Sequence, residues 1–149
     1  RHKNFFKSTY AYSTKNHRHI PEIEQELLKI TNKNIKFTFN PHLLPTFRGI
    51  LSSIYFKSNK NVSLNKISNV LKKYYKKNKF IKVLNSNTQI GSGNVLNTNN
   101  CEISVCSTRF KNRFVIFSAI DNLIKGASGQ AMQNMNLLLN YPEKLGFND

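Results

Sequence analysis

Two histidines, His17 and His19, stand two residues apart and directly precede Pro21 and a segment with helical spacing. On an extended strand, residues two apart project from the same face, so both imidazoles would lie together and Arg18 would point away. The N-terminus of the following helix would favour an anion nearby. Two imidazoles at an anion site suit general acid–base chemistry on a phosphorylated or carboxylated substrate. Two alternatives stay open: a solvated pair without function, and a metal site with Glu22 as third ligand.

Few other side chains offer chemistry. The glutamates within residues 22–26 lie along one predicted helix, so they do not form a facing pair of carboxylates. Cys101 and Cys106 lie five residues apart, which fits neither a disulfide framework nor a zinc site. We therefore expect a reducing, cytoplasmic compartment and two buried, inert thiols. Small residues around Gly126 would admit a ligand or another backbone at close range, or would simply allow tight helix packing.

The elements that must position these residues follow from hydrophobic spacing. Apolar alternation and runs of β-branched and aromatic residues predict strands at Tyr10–Thr14, NIKFTFN (34–40) and ILSSIYF (50–56), and around FIKVL, EISVCS and FVIFSAI. Helical spacing predicts helices from Pro21, along an apolar stripe from Leu64 to Tyr75, and from near Ala127 to Asn140. The order β-α-β-β-α-β-β-β-α predicts a compact α+β domain with a largely antiparallel or mixed sheet covered by helices. No glycine-rich dinucleotide-binding turn occurs between a strand and a helix.

The formal net charge is +16, a value that is typical of proteins with polyanionic partners. A compositional excess of lysine on solvated faces explains the same charge without any function. In the stretch KKYYKKNKFIK, Tyr74 and Tyr75 fall on the apolar stripe, so they are expected to pack inward beside a solvated basic face. Nucleic acid is thus a weak prediction, and no apolar run is long enough to span a membrane. The chain begins with Arg1 rather than Met, so we expect it to be part of a longer protein.

Four stretches, in this order, carry a resemblance to a known family: HRHIPEIEQEL, FNPHLLPTFRGILSSIYF, NTNNCEIS and SAIDNLIKGASGQAMQNMNLLLNYPEKLGF. Together they resemble the C-terminal part of the N-acetyl-gamma-glutamyl-phosphate reductases. The resemblance implies a glyceraldehyde-phosphate-dehydrogenase-like C-terminal domain over residues 1–120, which catalyses and dimerises. It further implies that residues 121–149 form a helix and tail that return to a Rossmann domain lying outside these residues. The alternative is a stand-alone basic module that binds nucleic acid.

The resemblance also implies the chemistry. Such enzymes reduce a small acyl-phosphate substrate to an aldehyde with NADPH in arginine biosynthesis, as homodimers or homotetramers, through a cysteine thioester. By resemblance, His17 and His19 are the catalytic pair and face that cysteine and the substrate. One imidazole assists thiolate formation and handles the proton on the thiohemiacetal oxygen, and the other, with Arg18 or Arg48, holds anionic substrate groups. A looser resemblance to the glyceraldehyde-phosphate dehydrogenases implies that Asn122 meets the nicotinamide carboxamide.

The same resemblance implies that Gly126 lets the last helix approach the cofactor. The family's glycine-rich cofactor turn and its nucleophilic cysteine correspond to positions before this chain, and Cys101 matches a different family position. NADP would therefore be bound mainly by the domain outside these residues. The chain alone is expected to be inactive.

Overall fold

The computed structural model describes residues 7–147, which form two compact units. The first unit ends at Phe47 and the second begins at Arg48. Residues 1–6, which could extend the first predicted strand, lie outside the described residues. The proposed division at residue 120 concerns how the chain would sit in a larger enzyme, and it stays a prediction.

The first unit contains one helix and a minimal pair of strands. Strand β1 (Tyr10–Ala11) pairs antiparallel with β2 (His42–Leu43), and helix α1 (Ile20–Thr31) lies between them in sequence. Asn32 ends α1 in the left-handed conformation, and its N–H donates to the Leu28 carbonyl at 2.8 Å. The predicted strand at 34–40 is wrong, because those residues are irregular and the partner of β1 comes later. The predicted strand at Tyr10–Thr14 shrinks to two residues.

The second unit is built on a four-stranded mixed sheet. Its strand order is β3-β6-β5-β4, with β3 and β5 antiparallel to β6, and β4 parallel to β5. This arrangement confirms the predicted α+β class with a largely antiparallel or mixed sheet. The bounds of the strands are β3 Ile50–Lys57, β4 Ile81–Val83, β5 Cys101–Ser107 and β6 Arg113–Ile120.

Helix α2 (Leu64–Tyr75) is capped by Ser63, whose hydroxyl accepts a hydrogen bond from the Lys66 N–H. The helix contacts β4 and β5. The predicted inward stripe is only partly correct: Tyr75 is half-buried, but Tyr74 and Val70 are exposed. A short sheet with a three-residue edge strand covers only part of the helix, which leaves the rest of the stripe in water.

The last helix, α3 (Gly129–Leu138), follows a π-helical turn at Ile124–Ser128. Its predicted bounds are thus correct to within two residues. The core beneath the helices contains buried residues from β5 and β6 and from the two connections that flank β4: Phe80, Val95, Ile103, Val105, Phe114, Val115 and Ala119. Because β5 and β6 are the central strands, the loop after β6 is held on a rigid base. Within residues 7–147, no helix is long and apolar enough to cross a membrane.

Candidate active site

The two histidines of the first unit lie side by side. The ring centroids of His17 and His19 are 4.8 Å apart and the planes meet at 70°. Phe39 and Tyr12 also contact the His17 ring, at centroid distances of 5.0 Å and 5.5 Å. The proximity predicted from the sequence is therefore present. Its cause differs, because the two residues lie in a turn before α1 and not on a strand.

A backbone hydrogen bond orients the His17 ring. The His19 N–H points at His17 Nδ1 over 3.2 Å, so Nδ1 accepts and the neutral ring carries its proton on Nε2. His17 is half-buried and His19 is exposed. His17 thus packs against Tyr12, Phe39 and His19, whereas water can reach the His19 ring and exchange protons with it.

Neither Arg18 nor Glu22, the other two residues expected near the histidines, has a side-chain hydrogen bond or ion pair with this pair within residues 7–147. Arg18 is exposed and makes no hydrogen bond or ion pair with another described residue, which leaves its guanidinium available to an anion. Glu22 lies in the first turn of α1. Among residues 7–147, no three His, Cys, Asp or Glu side chains are close enough to share a metal ion, so the metal alternative gains no support.

In the second unit, Arg48 is anchored at the start of β3. Its Nε lies 3.0 Å from Asp121 Oδ2, and its Nη1 donates to Asn97 Oδ1 over 2.7 Å. Asp121 is fully buried and Arg48 retains 19% side-chain exposure. Nη2 makes no hydrogen bond with another described residue, so the guanidinium keeps one fixed, partly exposed edge. That edge suits a carboxylate or a phosphate.

Asp121 is the centre of this arrangement. Burial raises the pKa of its carboxyl, but backbone hydrogen bonds and the Arg48 charge lower the pKa by more, and the net value is below the ordinary one. The Asn97 N–H donates to Oδ2 at 2.8 Å, and the Leu123 and Ile124 N–H groups donate to Oδ1 at 2.9 Å and 3.3 Å. The carboxylate therefore stays ionised and fixes three segments to one another.

Asn122 joins the start of β3 to the loop after β6. Its Oδ1 accepts a hydrogen bond from the backbone N–H of Gly49. Gly49 has a φ of +108°, and a side chain there would collide with Ser92. The amide oxygen of Asn122 is therefore engaged within the fold, whereas its Nδ2 group makes no hydrogen bond with another described residue.

The two glycines near the last helix differ in what surrounds them. A Cβ atom built on Gly126 would meet Ile120 at 3.5 Å, an ordinary contact, and Gly126 is exposed. A Cβ atom on buried Gly129 would instead overlap the side chains of Asn99 and Ile124. Tight packing thus explains Gly129, while Gly126 leaves a patch of backbone open to a partner.

Both cysteines are free and half-buried on β5. Cys101 Sγ lies 3.4 Å from Ser118 Oγ, and Cys106 Sγ lies 3.7 Å from Ser104 Oγ. In the described part of the chain, neither thiol has a histidine or arginine among its hydrogen-bond partners, but Lys125 interacts electrostatically with Cys101. The predicted burial of both thiols is met only in part, and their inertness stays a prediction.

The sequence pattern did not identify Asp121 or Asn97 as functional candidates. One signal for Asp121 was available, since it is one of only seven acidic residues in a chain with 23 Lys and Arg. It also directly follows an apolar strand, where a charged side chain needs a specific partner. Asn97 gave no such signal, because its contacts with Arg48 and Asp121 depend on a left-handed backbone conformation (φ +62°) that the sequence does not predict.

Comparison with known proteins connects these features to a family. The model of the semialdehyde dehydrogenase dimerisation domain matches residues 1–122. The N-acetyl-gamma-glutamyl-phosphate reductase of Thermoanaerobacter pseudethanolicus is 44% identical over 133 residues, which are 89% of this chain and 39% of that protein. A probable chloroplastic N-acetyl-gamma-glutamyl-phosphate reductase of Arabidopsis thaliana is 42% identical over 136 residues, 91% of this chain and 34% of that protein.

Among solved structures, aspartate semialdehyde dehydrogenase II from Vibrio cholerae matches with a TM-score of 0.68 at 14% sequence identity. The match covers 90% of this chain and 42% of that one. This likeness confirms the predicted mixed α+β fold as one that resembles aspartate semialdehyde dehydrogenase. The chain spans about 40% of the length of the bacterial reductases that it matches. By the extent of the family match and of the sequence identity, the chain belongs to the semialdehyde dehydrogenase dimerisation-domain family.

Proposed function

We propose that this chain is the catalytic and dimerisation part of an NADP-dependent reductase. The enzyme would convert N-acetyl-L-glutamyl 5-phosphate to N-acetyl-L-glutamate 5-semialdehyde in arginine biosynthesis. The observation that carries the proposal is the 44% identity over 89% of the chain to a protein named for that reaction. The names of the other reductases that match point to the same substrate. No name among them favours the alternative of a nucleic-acid-binding module.

The histidine pair would manage protons in this reaction. A cysteine thiolate outside these residues attacks the acyl carbon, the C–O bond to phosphate breaks, and a thioester forms. His17 or His19 takes the thiol proton before this step. After reduction, the imidazolium protonates the thiohemiacetal oxygen. The imidazole then takes this proton back as the C–S bond breaks, so that the aldehyde leaves and the cysteine thiolate is regenerated. The shared contact of the two rings supports a relay in which the exposed His19 exchanges protons with water.

Two arginines would hold the substrate's anionic groups. Arg48 offers a guanidinium edge that Asp121 and Asn97 keep in one orientation, so little rotational freedom is lost on binding. Arg18 is adjacent to both histidines in sequence and carries a free guanidinium. Each would bind a phosphate or carboxylate oxygen of the substrate through its unengaged N–H donors.

NADPH would supply the hydride and would be bound mainly by a domain outside these residues. Within this chain, the Asn122 side chain would make one of the two hydrogen bonds expected with the nicotinamide carboxamide. Its Nδ2 can donate to the carboxamide oxygen, while its own oxygen already accepts from Gly49. The exposed backbone at Gly126 would allow the cofactor to approach closely.

We further propose a cytoplasmic homodimer or homotetramer. The name of the matching domain supports self-association. The edge strand β3 supports it too, because Leu51 and Ile54 on this strand are 47% and 51% exposed. Light scattering on the purified protein would test the assembly. A strict monomer at micromolar concentration would refute it.

The proposed roles of the histidines are tested in a full-length reductase that contains this chain. We expect His17→Asn and His19→Asn each to lower kcat/KM, and at least one of them by about 100-fold or more, as is usual for acid–base groups. Glu26→Gln, on the exposed face of α1, is the matched control and should leave kcat/KM unchanged. Wild-type kinetics in both histidine variants would show that the pair is merely solvated.

A further inference from the structure

One end of the sheet gathers positive charge without any compensating acid. Lys57, the last residue of β3, is paired directly with Arg113, the first residue of β6. Side chains of such a pair lie on the same face, and like charges placed directly opposite destabilise a sheet. Repulsion of this kind in a folded protein indicates either that the charges serve a function or that other contacts offset the destabilisation.

The turn between β5 and β6 adds a second arginine to this end. The guanidinium carbons of Arg109 and Arg113 lie 4.7 Å and 5.3 Å from the ring centroid of Phe110. Stacking on one ring holds both groups close together and limits their motion. Neither arginine, nor Lys57, belongs to an ion pair in the described part of the chain.

The acids of the second unit lie elsewhere. Asp121 follows the opposite end of β6 and binds Arg48. Glu143 accepts a hydrogen bond from Gln133 of α3. Glu102 is paired with Ala119, six residues along β6 from Arg113. Among the described residues of this unit, no carboxylate is therefore placed to neutralise the three cations.

These cations surround an open cleft of about 610 Å³. Aromatic rings form much of its wall, and Tyr55 is the most exposed of them at 73%. Tyr55 and Lys57 are two residues apart on β3, so they face the same side of the sheet as Arg113. The cleft thus places an accessible flat ring next to three cationic donors. The remaining lining residues are Phe56, Thr108 and Phe114.

We propose that this cleft binds a nucleotide unit, either as a free nucleotide or within a single strand of nucleic acid. The phosphates would lie on Arg109, Arg113 and Lys57, because guanidinium groups match the paired oxygens of a phosphate. The base would stack on Tyr55, in the way that aromatic side chains accept bases without reading their sequence. Bound phosphate would also offset the repulsion between Lys57 and Arg113.

The test uses a fluorescein-labelled twelve-residue oligothymidylate, with binding followed by fluorescence anisotropy on the full chain. ATP and inorganic tripolyphosphate serve as competitors. The double variant Arg109→Gln/Arg113→Gln should weaken binding about tenfold or more, as expected for two charge-assisted phosphate contacts. The matched control Lys76→Gln/Lys77→Gln removes the same charge beyond the end of α2 and should weaken binding less than about threefold. Circular dichroism and light scattering establish that each variant keeps its fold and assembly.

A third variant distinguishes the contribution of base stacking from that of phosphate binding. Tyr55→Leu should weaken the oligonucleotide and ATP about tenfold, the scale of one stacked base, and leave tripolyphosphate unchanged. If ATP displaces the labelled probe at a lower concentration than the unlabelled strand does, the ligand is a free nucleotide. If the strand displaces the probe at the lower concentration, the ligand is a nucleic acid strand. Equal losses in the two double variants would show that net charge alone attracts polyanions and would overturn the proposal. So would the absence of binding.

Discussion

Replacing Asp121 by asparagine removes the one negative charge that organises the loop after β6. In this variant Oδ1 can still accept from the Leu123 and Ile124 N–H groups. An NH₂ group would replace Oδ2, however, and would face two donors, the Asn97 N–H at 2.8 Å and Arg48 Nε at 3.0 Å. The side chain is fully buried, so water cannot take over either contact.

The cost follows from these contacts. The lost hydrogen bond from the Asn97 N–H to the charged oxygen is worth about 1.5–3 kcal/mol, and breaking a buried ion pair from one side costs about 3–5 kcal/mol. We therefore expect Asp121→Asn to lower the free energy of unfolding by about 3–5 kcal/mol, with a fall in Tm of about 10–15 °C. Glu26→Gln, which breaks the exposed ion pair with Lys29, should cost less than about 0.5 kcal/mol.

The assay is urea unfolding followed by circular dichroism, since the chain has no tryptophan. Hydrogen bonds and the Arg48 charge hold the pKa of Asp121 below its ordinary value, so its stabilisation is present at neutral pH. That stabilisation is lost only as the pH falls through the lowered pKa of the folded state. The difference between wild type and Asp121→Asn should therefore persist to mildly acidic pH. A difference under about 1 kcal/mol at neutral pH, or one that has vanished by about pH 5, would refute this account of the Arg48 anchor.

Three further predictions concern the last helix and the chain as a whole. Gly129→Ala should lower Tm strongly because its methyl group would overlap Asn99 and Ile124, whereas Gly126→Ala should leave Tm within a few degrees of wild type; equal effects would contradict the packing argument. Asn122→Ala in a full-length reductase should raise KM for NADPH or lower kcat, with a stability loss of about 1 kcal/mol from the unpaired Gly49 N–H. A lower Tm with unchanged kinetics would remove Asn122 from the cofactor site. The purified 149-residue chain should not oxidise NADPH with N-acetylglutamyl phosphate, and measurable turnover would contradict the assignment of the nucleophile to residues outside it.

Much of the fold could be predicted from periodicity, and its failures have a common cause. The segments ILSSIYF and FVIFSAI form strands, as their β-branched and aromatic residues indicated, and the structure pairs these strands with each other along their whole length. The alternating segment 34–40 formed no strand, because alternation describes one face of a strand and not the partner that must supply its hydrogen bonds. Similarly, Tyr74 fits the helical stripe, yet the sheet beneath it is too narrow to cover it.

The candidate site could be predicted where its residues are neighbours in sequence. His17 and His19 do lie together, although a turn brings them together and not the strand that the spacing suggested. The contact between Arg48 and Asp121 spans most of the second unit's length, and a single sequence contains no signal for such a pair. Resemblance pointed to Arg48, but only the fold explains what fixes its orientation.

The central claim, that the chain belongs to an acyl-phosphate reductase for N-acetylglutamyl phosphate, is tested most directly by substrate choice. A full-length reductase that contains this chain would be assayed for NADPH oxidation with N-acetylglutamyl phosphate and, separately, with aspartyl phosphate. The account predicts turnover with the first substrate, one phosphate released per NADPH consumed, and a rate at least about 100-fold lower with the second, which is one methylene shorter and has a free ammonium group in place of the acetamide. A preference for aspartyl phosphate would place the activity with the aspartate semialdehyde dehydrogenases and would contradict the claim.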